Sequence, residues 1–522
     1  MNKILIAAIL VLTIGLISCG SSKGGGGSNN EPECCNQECC NNEDTGTIIN
    51  AHVPHIIAQP KNAVYILSQE AEPLTISTQI CDKCNDGIFT YQWYRNTVES
   101  NTGGEIIEGE TNASYKPPTD EYGEFYYYVT ITNNITDNED GGIKVAAKTS
   151  DVAEVVVAQH IVTFVSYSNV DIPAQGIMTG VKAKRPLPIR SGFIFDYWFT
   201  DAALTIPYHF DTEVTGNITL FAAWVSQPII TEIAANMLSI NGGTFKMGSP
   251  TDEMLRSTNE NYRTENGGDV KLSPFKMSKY LVTQEQYEAV MRNNPSYFKT
   301  PVGEEINTAK RPVETVSWYS AIVYCNKISL LTGLTPAYKI NGSTNIYEWG
   351  AVPLGPGGNF NLWNTVEIVE GSTGYRLPTE AQWEYACRAG TTTPFSWGST
   401  INETQANYLA NFLDAYNLVT GTNLNRTTQV GVYPHNPWGL YDMHGNLSEW
   451  CWDWYTESYN DAGGSEDPQG PKVPSVSGIH RMTRTVGGYS LPAEFQRSAY
   501  RGGMNANVYD TYRSLGFRVV RP

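Results

Sequence analysis

The stretch Gly439-Leu-Tyr-Asp-Met-His-Gly-Asn-Leu-Ser-Glu-Trp450 decides how the C-terminal half of the chain is read. Two carboxylates, Asp442 and Glu449, stand beside a glycine that permits a tight turn. Carboxylates with exposed backbone carbonyls suit a hard, oxygen-seeking cation. A solvated turn ahead of a buried tryptophan explains the same residues structurally. Working outward, Thr379 and Gln382 form a capping box that predicts a helix over Glu380–Arg388. Thr283 and Gln286 do the same for a helix ending near Met291. Ala321–Leu330, after Ser317-Trp318, reads as a third helix.

Further signatures run in order through this half. They are Met237-Leu-Ser-Ile-Asn-Gly-Gly-Thr-Phe-Lys-Met-Gly248, Tyr280–Tyr287, Arg311–Trp318, Tyr375–Ala386 and Ser514-Leu-Gly-Phe-Arg-Val-Val519. Together with Gly439–Trp450 they make residues 229–522 resemble the formylglycine-generating enzyme family, or sulfatase-modifying factor domains. The resemblance implies an irregular α+β fold of the C-type-lectin kind. It also implies a structural Ca²⁺ held by the side chains of Asp442 and Glu449 and the carbonyls of Gly445 and Leu447. A second implied calcium site begins at Asn407-Tyr408, but its other ligands fall in a loop that departs from the family pattern.

Active members of the family oxidise through a copper-binding cysteine pair near the C-terminus. Soft thiolates select Cu(I). The matching stretch, Gly487–Arg501, contains no cysteine, and none follows Cys451. No copper site is expected, and the head reads as non-catalytic. The alternative is an active sulfatase-modifying oxidase. Other members of the superfamily use a non-haem iron module, which needs a His-rich helical domain. The seven histidines (52, 55, 160, 209, 435, 444 and 480) are scattered. No nucleophile elbow or phosphate-binding glycine loop is present.

Tyr489 to Tyr512 is rich in residue types that build adaptable binding surfaces. Candidate ligand contacts are Tyr489, Ser490, Glu494, Gln496, Arg497, Tyr500, Arg501, Asn505, Asn507, Tyr509 and Tyr512. This arrangement also resembles the variable proteins of diversity-generating retroelements, a second alternative. Plain loop-filling explains the same residues structurally.

The N-terminal half reads as a delivery and display system. Residues 1–19, MNKILIAAILVLTIGLISC, carry Lys3, an apolar stretch and Leu16-Ile17-Ser18-Cys19. That ending resembles the bacterial lipobox, which implies lipidation of Cys19 and membrane anchoring. Residues 20–49 form a flexible Gly/Cys-rich tether. Removing Cys19 from ten cysteines leaves nine, so at least one thiol has no partner within the monomer. Cys34, Cys35, Cys39 and Cys40 suit a local disulfide knot or a metal site. Cys81 and Cys84 suit a loop disulfide.

Residues 50–158 alternate as short strands (Ala63–Leu67, Leu74–Ile80, Thr90–Tyr94, Tyr126–Thr132 and Val152–Val157), which suits a β-sandwich. With Cys81 and Trp93 they resemble a bacterial immunoglobulin-like module. Tyr127 stands where that module has its second cysteine. Residues 159–226, through Val162-Thr-Phe164, Pro188–Trp198, Val214–Leu220 and Trp224, look like an internalin-type β-repeat.

The chain is thus multidomain: two small all-β modules followed by the irregular α+β head. Its 41% hydrophobic content excludes wholesale disorder. Net charge is −18, from 35 Lys+Arg and 53 Asp+Glu, which argues against nucleic-acid binding. The expectation is a lipid-anchored extracytoplasmic bacterial protein, an adhesin at the outer membrane or cell surface, whose partner is a protein or glycan of unknown identity.

Overall fold

The computed structural model describes residues 50–79, 87–137, 139–263, 268–303, 307–353, 359–459, 464–472, 480–506 and 513–522. Cys19, the Cys34–Cys40 cluster, Cys81, Cys84, Asn507, Tyr509 and Tyr512 lie outside them. The chain divides into two compact units, Met1–Gln159 and His160–Pro522. Most of the regular structure is β, with few helices.

In the first unit, the long strands Ile88–Asn96 and Gly123–Asn134 pair antiparallel along their length. Ala153–Ala158, Ala63–Ile66, Val145–Thr149 and Glu105–Ile106 complete this six-stranded sheet. Two ribbons, His55–Ala58 with Ser77–Gln79 and Leu74–Thr75 with Ser114–Tyr115, supply the second layer. Leu74, Ile76 and Tyr115 pack with Trp93, Tyr127 and Val155 in one core. Tyr127 fills the place expected of a cysteine with an aromatic ring 5.4 Å from that of Tyr115, which lies 5.7 Å from Trp93. Aromatic packing occupies the interior where a disulfide would sit. The expected single strand Leu74–Ile80 is two short strands serving two different ribbons.

The second unit opens with a four-stranded sheet in the order Gln175–Ile177, His160–Val165, Ile218–Ser226, Phe193–Phe199. Val162, Phe164, Trp198 and Leu220 form its core. Ser226 leads directly into helix Gln227–Ala235, whose first turn carries a proline at no hydrogen-bond cost. In the head, Met237–Ile240, Phe275–Ser278 and Val520–Arg521 pair, so the start and end of the domain share one sheet. A second sheet runs Gly502–Asn505, His480–Arg484, Ser448–Trp454, Leu515–Gly516. Helices Gln284–Met291 and Glu380–Arg388 begin at the capping boxes of Thr283 and Thr379. The third helix runs Trp318–Leu331, capped by Ser317, one turn longer at its start than the sequence pattern indicates. No described helix is long and apolar enough to cross a membrane.

The repeat sheet and the head are tied by one buried aspartate. Asp196 accepts hydrogen bonds from Tyr347 Oη at 2.9 Å and pairs with Lys327 Nζ at 2.9 Å and with Arg292. Its side chain is 6% exposed and that of Lys327 is 5% exposed. Tyr197 stacks on Tyr347 beside it at 4.1 Å. Breaking a buried pair strands the remaining charge, at a cost of about 3 kcal/mol. Asp196→Ala should therefore lower unfolding free energy by roughly that amount in chemical denaturation. Lys339→Ala, which removes the exposed Lys339–Glu367 pair at 3.1 Å, should change it by less than about 1 kcal/mol. Equal effects would refute this role for Asp196.

Candidate functional site

Helix Glu380–Arg388 turns Glu380, Glu384, Cys387 and Arg388 into the interior of the head. Glu384 is fully buried and shared among four donors. Its Oε1 accepts from the Gly248 N–H at 2.8 Å and Arg388 Nε at 2.9 Å. Its Oε2 accepts from Arg484 Nη2 at 2.7 Å and Tyr459 Oη at 2.9 Å. Burial pushes this carboxyl upward, but Arg388 and Arg484 outweigh it and hold it below its ordinary value. Glu380 takes the fork of Arg501 at 2.7 and 2.9 Å and also pairs with Arg484 at 3.1 Å. Asp453 Oδ2 accepts the first N–H of the helix, from Glu380, at 2.8 Å.

The segment where an oxidase would carry its thiols is built into the same network. Arg497 donates to Glu260 at 2.6 and 2.9 Å and to Glu253 at 2.6 Å. Burial opposes its charge, but the Glu260 and Glu253 carboxylates raise its pKa further above the usual arginine value. Arg501 is held by Glu380, Thr456 O and Asn259 O.

Three cysteines of the head are described, Cys325, Cys387 and Cys451, and all are buried free thiols. Burial pushes Cys387 up to about 12 and raises Cys325 and Cys451 further. Cys387 Sγ lies 3.6 Å from His444 Nε2 and 3.5 Å from Ser498 Oγ. This Cys–His neighbourhood was not legible in the sequence, since 57 positions separate the two residues. His444 Nδ1 sits 2.8 Å from Gln496 O and therefore carries the proton, while Nε2 accepts from the Ser396 N–H at 3.2 Å. Burial pulls its pKa down to about 4. A neutral imidazole beside a protonated thiol does not make a thiolate nucleophile.

The expected calcium ligands are brought together, but their donors are spent on the protein. Both Glu449 oxygens are bound by Arg518, at 2.6 and 2.9 Å. Asp442 accepts from the Gly431 N–H at 3.0 Å and Asn446 Nδ2 at 3.2 Å. Leu447 O accepts from Thr485 Oγ1 at 2.6 Å. Gly445 has φ 86° and lies against Asn407 O, where an added Cβ would sit 2.4 Å away. Asn407 O accepts the Asn446 N–H at 2.7 Å, and Tyr408 Oη donates to Asn417 at 2.9 Å. With a guanidinium already neutralising Glu449, this donor set does not fit a calcium ion. It closes two loops on each other instead.

The expected ligand surface is also corrected in part. Gln496, Arg497 and Arg501 are interior residues, and Tyr489 is buried against Phe298 with ring centroids 5.4 Å apart. Ser490, Glu494, Tyr500 and Asn505 are half-buried. The arginines go inside because carboxylates distant in sequence meet them there.

The geometry thus defines an irregular α+β head whose interior is a carboxylate–guanidinium network. Residues 225–522 match the sulfatase-modifying factor enzyme 1-like domain, and residues 160–223 match the Listeria–Bacteroides repeat domain. The chain belongs to the formylglycine-generating-enzyme-like family. It is 38% identical over 301 residues to a chaperone protein LppX of Paenibacillus barcinonensis, covering 56% of this chain and 91% of that one. It is 28% identical over 310 residues to a formylglycine-generating enzyme of Thermomonospora curvata, covering 55% and 93%. Among solved structures it is similar to Treponema denticola variable protein 1, with TM-score 0.45 and 30% identity over 55% of this chain and 95% of that one.

Asp453 gives the network a pH signature. Burial first, then the Glu380 charge, pushes its pKa up to about 7. In the unfolded chain it titrates near 3.9. The folded state therefore holds the extra proton between these values. The stability this adds is full below about pH 4 and is lost as pH rises through about 7. Asp453→Asn keeps an acceptor for the Glu380 N–H and removes the titration. Denaturation from pH 4 to 7 should show wild type losing on the order of 3 kcal/mol relative to the variant. Parallel profiles would contradict the assignment.

Proposed function

We propose that the protein is a lipid-anchored, extracytoplasmic binding protein whose formylglycine-generating-enzyme-like head is non-catalytic. The observation that carries this reading is the fate of the thiol segment. Gly487–Arg501 has no cysteine, and its Arg497 and Arg501 are locked to Glu253, Glu260 and Glu380. The described cysteines of the head are buried free thiols, and none of them lies in the segment where the family places its Cu(I)-binding pair. The repeat and head form one unit, which suits presentation of a recognition surface on a stalk. A relative named as a chaperone points the same way, because a chaperone acts by binding. The ligand is then a protein or a glycan, and Cys19 supplies the membrane attachment.

The test is direct. The full chain is incubated with Cu(I), oxygen and a peptide containing the Cys-x-Pro-x-Arg substrate motif of the family, beside an active family member. Mass spectrometry should show conversion of the peptide cysteine by the control and none by this protein. Conversion by this protein would overturn the reading and restore the oxidase alternative.

A further inference from the structure

One buried guanidinium in the head makes no ion pair among the described residues. Arg481, in strand His480–Arg484, is 2% exposed. Every other arginine of the buried core described above meets a carboxylate. Arg481 instead lies between two tryptophans, its guanidinium carbon 3.7 Å from the ring centre of Trp318 and 3.3 Å from that of Trp454. Trp452 is 5.2 Å away. Nη1 donates to Trp452 O at 2.8 Å, and Nε has no hydrogen-bond partner. No carboxylate among the described residues forms an ion pair with it. Asp453, on the neighbouring strand, is turned to the Glu380 N–H. Burial pulls the guanidinium down to about 9, and the opposing influence of Tyr319, Tyr338 and Asp453 does not offset it. Cation–π attraction offsets part of that desolvation.

Arg481 also forms part of the wall of an open cleft of about 440 Å³. Trp452, Trp454 and Val366 give the cleft an apolar side, and Asn364 and Lys472 add polar groups. Its two acids are engaged at the rim. Glu466 pairs with Lys271 at 3.0 Å, and Asp467 accepts from Ser273 N and Oγ at 2.8 and 2.6 Å. Lys472 is exposed. The cleft thus offers a buried guanidinium whose Nε is unpaired, an ammonium and an indole-lined wall.

We propose that this cleft binds a carboxylate-bearing organic ligand, with Arg481 receiving the carboxylate and the tryptophans contacting its body. A guanidinium fork matches a carboxylate, and burial makes the interaction charge-assisted and selective. Two sources share this chemistry: an acidic sugar and a peptide C-terminus. The inference rests on the head being a binding domain and specifies the ligand class. It is separable from the oxidase assay, because a chain that converted the substrate peptide would still show or lack anion affinity.

The test is tryptophan fluorescence of the full chain. It is titrated with glucuronate and with glucose, and with acetyl-Ala-Ala and its C-terminal amide. At least one carboxylate should give a saturable change with Kd at or below about 1 mM, and its uncharged counterpart should bind at least ~10-fold more weakly. Arg481→Lys keeps the charge but loses the fork, and should weaken binding by at least ~10-fold. Should that variant not fold, Lys472→Ala decides, because an exposed residue can be removed without disturbing the core. It should weaken carboxylate binding ~3-fold or more and leave the thermal midpoint unchanged. Absence of saturation with both carboxylates, equal affinity for the neutral counterparts, or unchanged affinity in a folded variant overturns the proposal.

Discussion

The head depends on one constraint: buried glutamates must find guanidinium partners from distant parts of the chain. Glu384 sits in the middle of helix Glu380–Arg388 with its side chain fully enclosed. An unpaired carboxylate there would cost several kcal/mol. Arg388 neutralises it from the next turn, and Arg484 reaches it from the strand His480–Arg484. Glu380, one turn earlier, gathers Arg484 and Arg501. The helix, the central strand and the C-terminal segment are therefore fixed in place by the same five charges. In a domain with little regular secondary structure, these directional bonds do what long sheets do elsewhere.

That constraint also decides the chemistry. Segment Ala493–Gln496 and the arginines that follow it are used as struts. Arg497 reaches back to Glu253 and Glu260 and closes the region against the interior. Cys387 lies close to His444 but within a network of neutral donors and acceptors, where both groups stay uncharged. The scaffold of the family is retained, and the segment Gly487–Arg501 contains no cysteine.

What the sequence makes legible is what is local. Thr379 with Gln382 and Thr283 with Gln286 fix two helix starts, since a capping box needs only residues three apart. Ser317 caps the third. The family signatures identify the head because they span it in order. Pairings at long separation are not legible. Arg497 and Glu260 stand 237 positions apart, and nothing near Arg497 announces a carboxylate. A loop rich in Tyr and Arg reads as surface, and here its arginines are interior. Glu449 is the same case in the other direction. Its neighbours suggest a cation, but Arg518 from 69 positions away takes both its oxygens. Arg481 shows a third variant, in which aromatic faces rather than carboxylates surround the charge.

The central claim, a family head without an available thiol pair, is tested most directly by mapping thiol reactivity. The native full chain is treated with iodoacetamide, digested and sequenced by mass spectrometry, beside a sample unfolded before labelling. Cys325, Cys387 and Cys451 should stay unmodified in the native sample and be fully modified after unfolding. Rapid modification of any two of them in the folded protein would mean that a thiolate pair is accessible, and would contradict the account.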